Sequence, residues 1–427
     1  MNLRGISILA VAACIAFPAL AQDTNKVTPP EDSGFSSERL QRLSDVMQTD
    51  VDKGTIPGAV VMISRNGKLV YSKAFGFQDR EKQIPMKTDS IFRIASMSKP
   101  VTSVAVMMLV EEGRIMLSDP VSAYLPELKN LQVGVEKLDG SGKPELILEP
   151  ARAEVTIHDL LRHTSGFTYG FFGKPTLVKQ AYLAANLLDP TTTLADFVTK
   201  LSKLPLAYQP GTTWDYGVSA DVLGRVVEVV SGVPLDQFIA DRIVKPLGLS
   251  ATGFHVSQED AVRVAQPQID QATGKRPPMP DPSNRPNLMS GGGGMVSTAP
   301  DYMRLAQMLL NGGELQQARL LSSRTVALMT ADQLPPDVVS SPVGLMLGIT
   351  PRNGTSFGLG FGIRTQTGRN PLPGSPGLFA WPGIYGTSFW VDPKEKLVVV
   401  AMLQVPVSLE PRYRLLVRNL VYQALAD

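Results

Sequence analysis

Phe92-Arg-Ile-Ala-Ser-Met-Ser-Lys-Pro-Val-Thr-Ser103 places a serine, Ser96, three residues before a lysine, Lys99, and runs straight into an almost wholly apolar segment, 101–110. That segment has no polar face, so it predicts a buried helix, with Gly113 as its C-terminal stop. Pro100 is tolerated only in a first turn, which sets the helix start between about Ser96 and Lys99. If the helix starts near Ser96, positions i and i+3 share a face and the lysine amine lies beside the serine hydroxyl. A serine is a weak nucleophile until a neighbouring base takes its proton. A lysine serves as that base when burial and a helix N-terminus disfavour its charged form. The same N-terminus offers free N–H groups to a developing oxyanion. Ser-x-x-Lys is also a common chance pairing, a capping serine followed by a surface lysine, and Ser98 competes as the cap. The pair therefore needs partners elsewhere in the chain.

Upstream, residues 1–21 carry Arg4, an apolar run and Ala19-Leu-Ala21 before the polar Gln22. This is the composition of a secretory signal with an A-x-A cleavage site. It predicts a periplasmic or secreted protein with no stable membrane span once the signal is removed. The single cysteine, Cys14, falls inside this segment, where Val11-Ala-Ala-Cys14 also faintly resembles a lipoprotein processing site. Without it the mature chain, expected as one domain over 22–427, has neither disulfide nor thiol chemistry. The 41 basic and 39 acidic residues are interspersed and nearly cancel, at +2, which argues against a nucleic-acid-binding face.

Along the mature chain, Leu40, Leu43, Met47 and Val51 recur at helical spacing within 36–52, behind the capping serines Ser36 and Ser37. Segments 58–64 and 68–77 are β-branched or alternating, and Asn66-Gly67 between them is a hairpin turn signal. An inserted hairpin is expected within 133–155 around Asp139-Gly-Ser-Gly142. Helices are expected over 156–163, 194–204, 220–231 and 301–311, and a long loop over 264–288. Strand-like patterns return at 358–364, 377–381, 387–391 and 397–403, before a closing helix at 412–425. Strands at both ends and helices between them imply a sheet assembled from the two chain ends, flanked by the terminal helices, with a helical subdomain inserted. A site is expected at their junction.

Three stretches offer partners to Ser96. Tyr216 follows the Pro210-Gly211 turn at the start of a helix, where a buried phenol can act as general acid or base and bridge lysine to serine. Trp381-Pro-Gly383 stands at a strand end; Gly383 permits close backbone approach and the next N–H, of Ile384, is a candidate second oxyanion donor. Phe167-Thr-Tyr-Gly-Phe-Phe172 supplies Phe167, Tyr169, Phe171 and Phe172 as either core filling at a subdomain seam or one wall of an apolar pocket. Two further patterns carry less. Gly354-Thr-Ser-Phe-Gly358 matches the nucleophile-elbow pattern around Ser356, but all three histidines, His158, His163 and His255, precede it, against the chain order that motif requires. His158 and His163 are five apart beside Asp159 with no third ligand, and read as structural residues rather than a metal site. Residues 291–294 are a run of four glycines, read as a backbone bend rather than a phosphate loop.

Together, 92–99, His158-Asp-Leu-Leu-Arg-His-Thr-Ser-Gly166, Tyr216 in Trp-Asp-Tyr-Gly-Val, and Gly291-Gly-Gly-Gly-Met-Val-Ser-Thr298 resemble the serine β-lactamase and penicillin-binding superfamily. Within it the chain is most similar to class C β-lactamase-like carboxylesterases, the family VIII esterases. The resemblance implies Ser96 as the acylated nucleophile, Lys99 as its base partner, Tyr216 as proton relay, no metal and no cofactor. It implies an α/β fold of the α+β kind, an antiparallel sheet (about 34–93 and 293–427) flanked by terminal helices, with an inserted all-helical subdomain (about 94–292). Two departures bear on substrate. Val218 stands where penicillin-processing relatives carry an asparagine, and cannot hydrogen-bond an acyl amide. Trp381-Pro-Gly383 replaces their Lys-Thr-Gly, and offers no cation to a lactam or peptide carboxylate. Both favour a small neutral ester as the partner molecule, with Trp381, Gly383, Val218 and the aromatic cluster as substrate-binding residues and weak β-lactam hydrolysis as a side activity. A β-lactamase or D-amino-acid peptidase, and a non-catalytic binding member of the superfamily, are the alternatives.

Overall fold

Asn66 and Gly67 both take positive φ, +54° and +73°, the backbone a two-residue hairpin turn demands. The turn joins β1 (Gly58–Arg65) to β2 (Lys68–Asp79). Every residue of β1 is buried, so its apolar run from Ala59 to Ile63 marks a strand covered on both faces. The computed structural model describes residues 26–270 and 273–426; the expected signal segment and Cys14 lie outside the described residues.

Ahead of the hairpin lies α1 (Ser37–Asp52), capped by the Ser36 side chain on the Arg39 N–H, and after it comes the short β3 (Ile84–Pro85). The nucleophile stretch leads into α2 (Ser98–Glu111). Farther along come α3 (Ser219–Ser231) and α4 (Ala299–Leu310). The C-terminal part supplies β4 (Thr355–Phe357), β5 (Gly362–Arg364), β6 (Phe379–Ala380), β7 (Ser388–Asp392), β8 (Leu397–Leu403) and α5 (Glu410–Tyr422). The eight strands form one sheet in the order β4-β5-β6-β7-β8-β1-β2-β3, with antiparallel neighbours throughout. The two chain ends meet at its centre, where Val61 faces Ala401 and Ile63 faces Val399.

Each face has its own core. Outside, Leu43, Met47 and Val51 of α1 and Tyr413, Val417 and Val421 of α5 pack on Val61, Ile63 and Val399. Inside, α4 lies across β8, β1 and β7, and α2 packs behind it against α3. The inserted region holds the helices together with the hairpin that its Asp-Gly-Ser-Gly turn called for, Gln132–Leu138 against Pro144–Pro150.

Two stretches differ from their sequence pattern. Residues 358–364 are not one strand: the Gly358 N–H bonds the Phe361 carbonyl and Gly360 takes φ +97°, so β4 and β5 form a hairpin. The strand expected over 377–381 shrinks to Phe379–Ala380, because Gly377 takes φ +89° at one end and Pro382 follows at the other. Short helices at Leu177–Ala184, Ser323–Met329 and Pro342–Leu347 were not evident in the pattern; each starts on a side-chain cap from Thr176, Ser322 or Ser341.

Candidate active site

Ala95 takes φ +44° although it carries a Cβ, an uncommon backbone for such a residue. It opens a single turn of 3₁₀ helix, Ala95–Met97, that feeds α2. Ser96 rides on that turn. Ser98 fastens it: its hydroxyl donates to the Ala95 carbonyl (2.7 Å) and accepts the Met295 N–H (3.1 Å). Just upstream Phe92–Arg93 pairs with Val296–Ser297, which brings the four-glycine run alongside the nucleophile.

The run is not a loose bend. Thr102 donates to the Gly291 carbonyl (2.8 Å), Lys99 to the Gly292 carbonyl (2.7 Å), and the Gly292 N–H donates to the Asp221 carboxylate (3.1 Å). A Cβ on Gly291 would lie 2.7 Å from the Ala220 carbonyl oxygen, and one on Gly292 2.5 Å from Asp221 Oδ2, so the glycines permit close approach of backbone to helix α3.

Lys99 is 1% exposed. Its Nζ lies 3.4 Å from Ser96 Oγ, as the i, i+3 spacing requires, and 3.1 Å from the Tyr169 hydroxyl. The face of the Tyr216 ring is 4.5 Å from the amine, and the Tyr216 hydroxyl accepts from Trp381 Nε1 at 3.2 Å. The phenol that hydrogen-bonds the lysine is therefore Tyr169, which the sequence offered only as a pocket residue; Tyr216 contributes its π-face. Burial, reinforced by Asp221 and then Tyr216, holds the Tyr169 phenol well above its ordinary pKa. Burial raises Asp221, while Lys99, the Ser290 hydroxyl and the Gly292 N–H pull it back. Asp221 is thus a buried carboxyl behind the lysine, in the first turn of α3, where an acidic residue is ordinary and nothing in the sequence sets it apart.

The carboxyl-terminal wall arrives through Trp381-Pro-Gly383. The Gly383 N–H donates to the Thr387 carbonyl (2.7 Å), and Thr387 Oγ1 donates to the Ile94 carbonyl (3.2 Å), tying this turn to the nucleophile turn. Among the described residues no acceptor engages the N–H of Ser96 or of Ile384. A Cβ on Gly383 would meet Thr387 Oγ1 at 2.2 Å and the Ile94 carbonyl oxygen at 2.3 Å. Gly383→Ala should therefore cost roughly 1–3 kcal/mol in stability from overpacking and push Ile384 away from Ser96. A lowered melting temperature together with a lowered kcat checks this; a variant with wild-type values for both would contradict it.

Ser96 and Ile384 line a cavity of about 470 Å³. Tyr169, Phe171 and Phe172 form one wall, and the 264–288 loop forms another through Pro280, Pro282 and Leu288. Arg93 also reaches this cavity, but its guanidinium donates to the carbonyls of Pro280 and Ala265 and to Gln404. Phe167, Val218 and Trp381 are buried in the core and are not among the cavity-lining residues. Phe167 fills the seam, whereas Trp381 turns its N–H inward to Tyr216.

The remaining candidates sit apart from Ser96. His163 has φ +60° and lies in an aromatic box of Trp214, Tyr216 and Phe357; burial, then Lys99, drives its pKa well down and keeps it neutral. His158 Nε2 is 3.0 Å from Gln333 Oε1. Ser356 is buried in β4 with its hydroxyl on Asp332.

Comparison with known proteins agrees with this architecture. The family model described as Beta-lactamase matches residues 43–422. Protein Rv1367c of Mycobacterium tuberculosis is 36% identical over 359 residues, covering 83% of this chain and 87% of its own. Esterase EstB of Burkholderia gladioli is 30% identical over 370 residues, covering 82% and 86%. The solved structure of EstCE1, described as a hydrolase with promiscuous acyltransferase activity, superposes with a TM-score of 0.74 at 29% identity, over 90% of this chain and 99% of its own.

Proposed function

The chain belongs to the beta-lactamase family, its relatives support a serine hydrolase of that superfamily, and on that premise we propose that it is an exported carboxylesterase that hydrolyses small neutral esters through an acyl-enzyme on Ser96. The observation that carries this reading is the Ser96 hydroxyl 3.4 Å from the buried Lys99 amine, at the edge of a cavity whose walls include five aromatic and four proline residues.

The steps follow from the geometry. Ser96 Oγ attacks the ester carbonyl carbon and gives its proton to Lys99, whose amine is steadied by the Gly292 carbonyl and the Tyr169 hydroxyl. The tetrahedral oxyanion takes hydrogen bonds from the unengaged N–H groups of Ser96 and Ile384. Collapse breaks the bond to the alcohol oxygen, which leaves with a proton from the Lys99–tyrosine group, and the acyl chain stays on Ser96. Water then adds to the acyl carbonyl, giving a proton to the same base; expulsion of Ser96 releases the carboxylic acid. Tyr216, stacked on the lysine and held by Trp381, keeps the amine in place and is the second phenol available for proton relay.

The neutral-ester preference rests on what the site lacks. Among the cavity-lining residues Arg93 alone is cationic, and its guanidinium is occupied by the carbonyls of Pro280 and Ala265. A lactam carboxylate would thus enter unpaired. Purified protein should turn over p-nitrophenyl butyrate at least about a hundredfold more efficiently than nitrocefin. Faster nitrocefin hydrolysis would move the assignment to a β-lactamase.

A further inference from the structure

A second cavity, of about 250 Å³, lies where β5, β6 and β7 meet α5, and residues of both cores line it, Trp390 from the outer one and Ile363 and Trp381 from the inner one. Gly362, Ala380 and Trp390 are successive cross-strand partners in β5, β6 and β7, so they share a face, and Arg364 shares it two residues along β5. Trp390 packs in the outer core with α1 and α5, which assigns that face to the outside. Helix α5 closes one side of the cavity with Arg414 and Arg418, and Met346, Leu347 and Ile349 supply an apolar side.

Three guanidinium groups therefore surround one small space. Arg414 pairs with Glu410 at 2.7 Å. Arg364 and Arg418 form no ion pair among the described residues: Arg364 Nη1 reaches the Asn370 side chain (3.3 Å) and the Pro373 carbonyl (3.4 Å), and Arg418 Nε reaches the same carbonyl (2.9 Å). The near carboxylate, Asp392, already accepts from the Tyr422 hydroxyl (2.6 Å) and the Ser375 N–H (3.0 Å). Burial, with Arg364 and Arg414 adding repulsion, brings Arg418 down to about 10. Two buried donors on lining residues, Arg364 Nε and Trp390 Nε1, have no acceptor among the described residues. Buried N–H groups are rarely left so, and converging guanidinium groups with orphan donors match an anionic head.

We propose that this cavity binds a small organic anion, its carboxylate or phosphate head held by Arg364, Arg418 and the Trp390 N–H and its apolar part against Met346, Leu347 and Ile349. The apolar side and the limited volume favour a short amphipathic molecule over a bare inorganic ion.

The test is calorimetric titration of the purified protein with hexyl phosphate, hexanoate, inorganic phosphate and hexanol. Saturable binding of hexyl phosphate or hexanoate, much tighter than inorganic phosphate and absent for hexanol, is expected; whichever head binds more tightly identifies the ligand class. Arg418→Gln should weaken that binding at least about tenfold. Trp390→Phe, which removes the N–H together with one of the two fused rings, should weaken it severalfold and covers the case in which the arginine variant fails to fold. The proposal is overturned by no saturable heat from either anion at millimolar concentration, by equal binding of hexanol, by inorganic phosphate binding as tightly as hexyl phosphate, or by folded variants that bind like wild type.

Discussion

Ser96→Ala is expected to lower kcat/KM on nitrophenyl esters by at least about 10⁴-fold and to abolish labelling by a fluorophosphonate probe. Removal of a catalytic serine costs this much because the remaining oxyanion donors and binding cavity cannot supply a covalent route. The expectation is sharp here because the competing serines are engaged elsewhere. Ser98 is bound on both sides, donating to Ala95 and accepting from Met295, and Ser356 is buried against Asp332. Loss of labelling together with loss of turnover supports the acyl-enzyme. A variant that turns over esters at the wild-type rate sinks the mechanism, and a wild-type protein that neither labels nor turns over would favour a binding member of the superfamily.

Lys99→Met should lower kcat by about 10²–10⁴-fold, the usual worth of a positioned base, and should leave a second signature in stability. Burial raises the Asp221 carboxyl and Lys99 is the first of the influences that lower it. Without the lysine the folded-state pKa climbs further above the unfolded value. A carboxyl raised in this way contributes stability that is complete below the unfolded pKa and is lost as pH rises through the folded one. The melting-temperature gap between Lys99→Met and wild type should therefore widen as pH rises above the ordinary carboxyl range. Adding Asp221→Asn should close the gap without restoring turnover. A kcat near wild type would remove Lys99 from the chemistry, and a gap that is flat with pH would mean that Asp221 does not respond to it.

Local signals carried through wherever the determining residues were near one another in the chain. The apolar positions of α1, the Asn66-Gly67 turn and the Ser96–Lys99 spacing each depend on residues close together in the chain, and each is realised. Tyr169 could not be assigned to Lys99 in the same way. Its hydroxyl meets the amine only because the chain between them folds back, and no spacing encodes that. Trp381 shows a related limit: an indole at a strand end suggests a pocket wall, but the orientation depends on the Tyr216 hydroxyl, a distant acceptor. The broken strands of 355–380 reflect a third cause, glycines at positive φ, Gly360 and Gly377, which end short apolar runs.

The meeting of chain ends at the centre of the sheet sets the order in which this protein can become active. β1 is made early and is apolar from Ala59 to Ile63, yet its partner β8 is made almost last. Until then β1 offers one unsatisfied edge to any passing strand, and loop closure over nearly the whole chain must precede the pairing, which slows folding. The nucleophile waits with it, because Ile384 and the Trp381–Tyr216 bond come from the same late segment. A chain shortened ahead of β8 is thus a different hazard from an inactive enzyme: it keeps Ser96 and Lys99 but lacks the strand that shields β1, and aggregation is its expected fate.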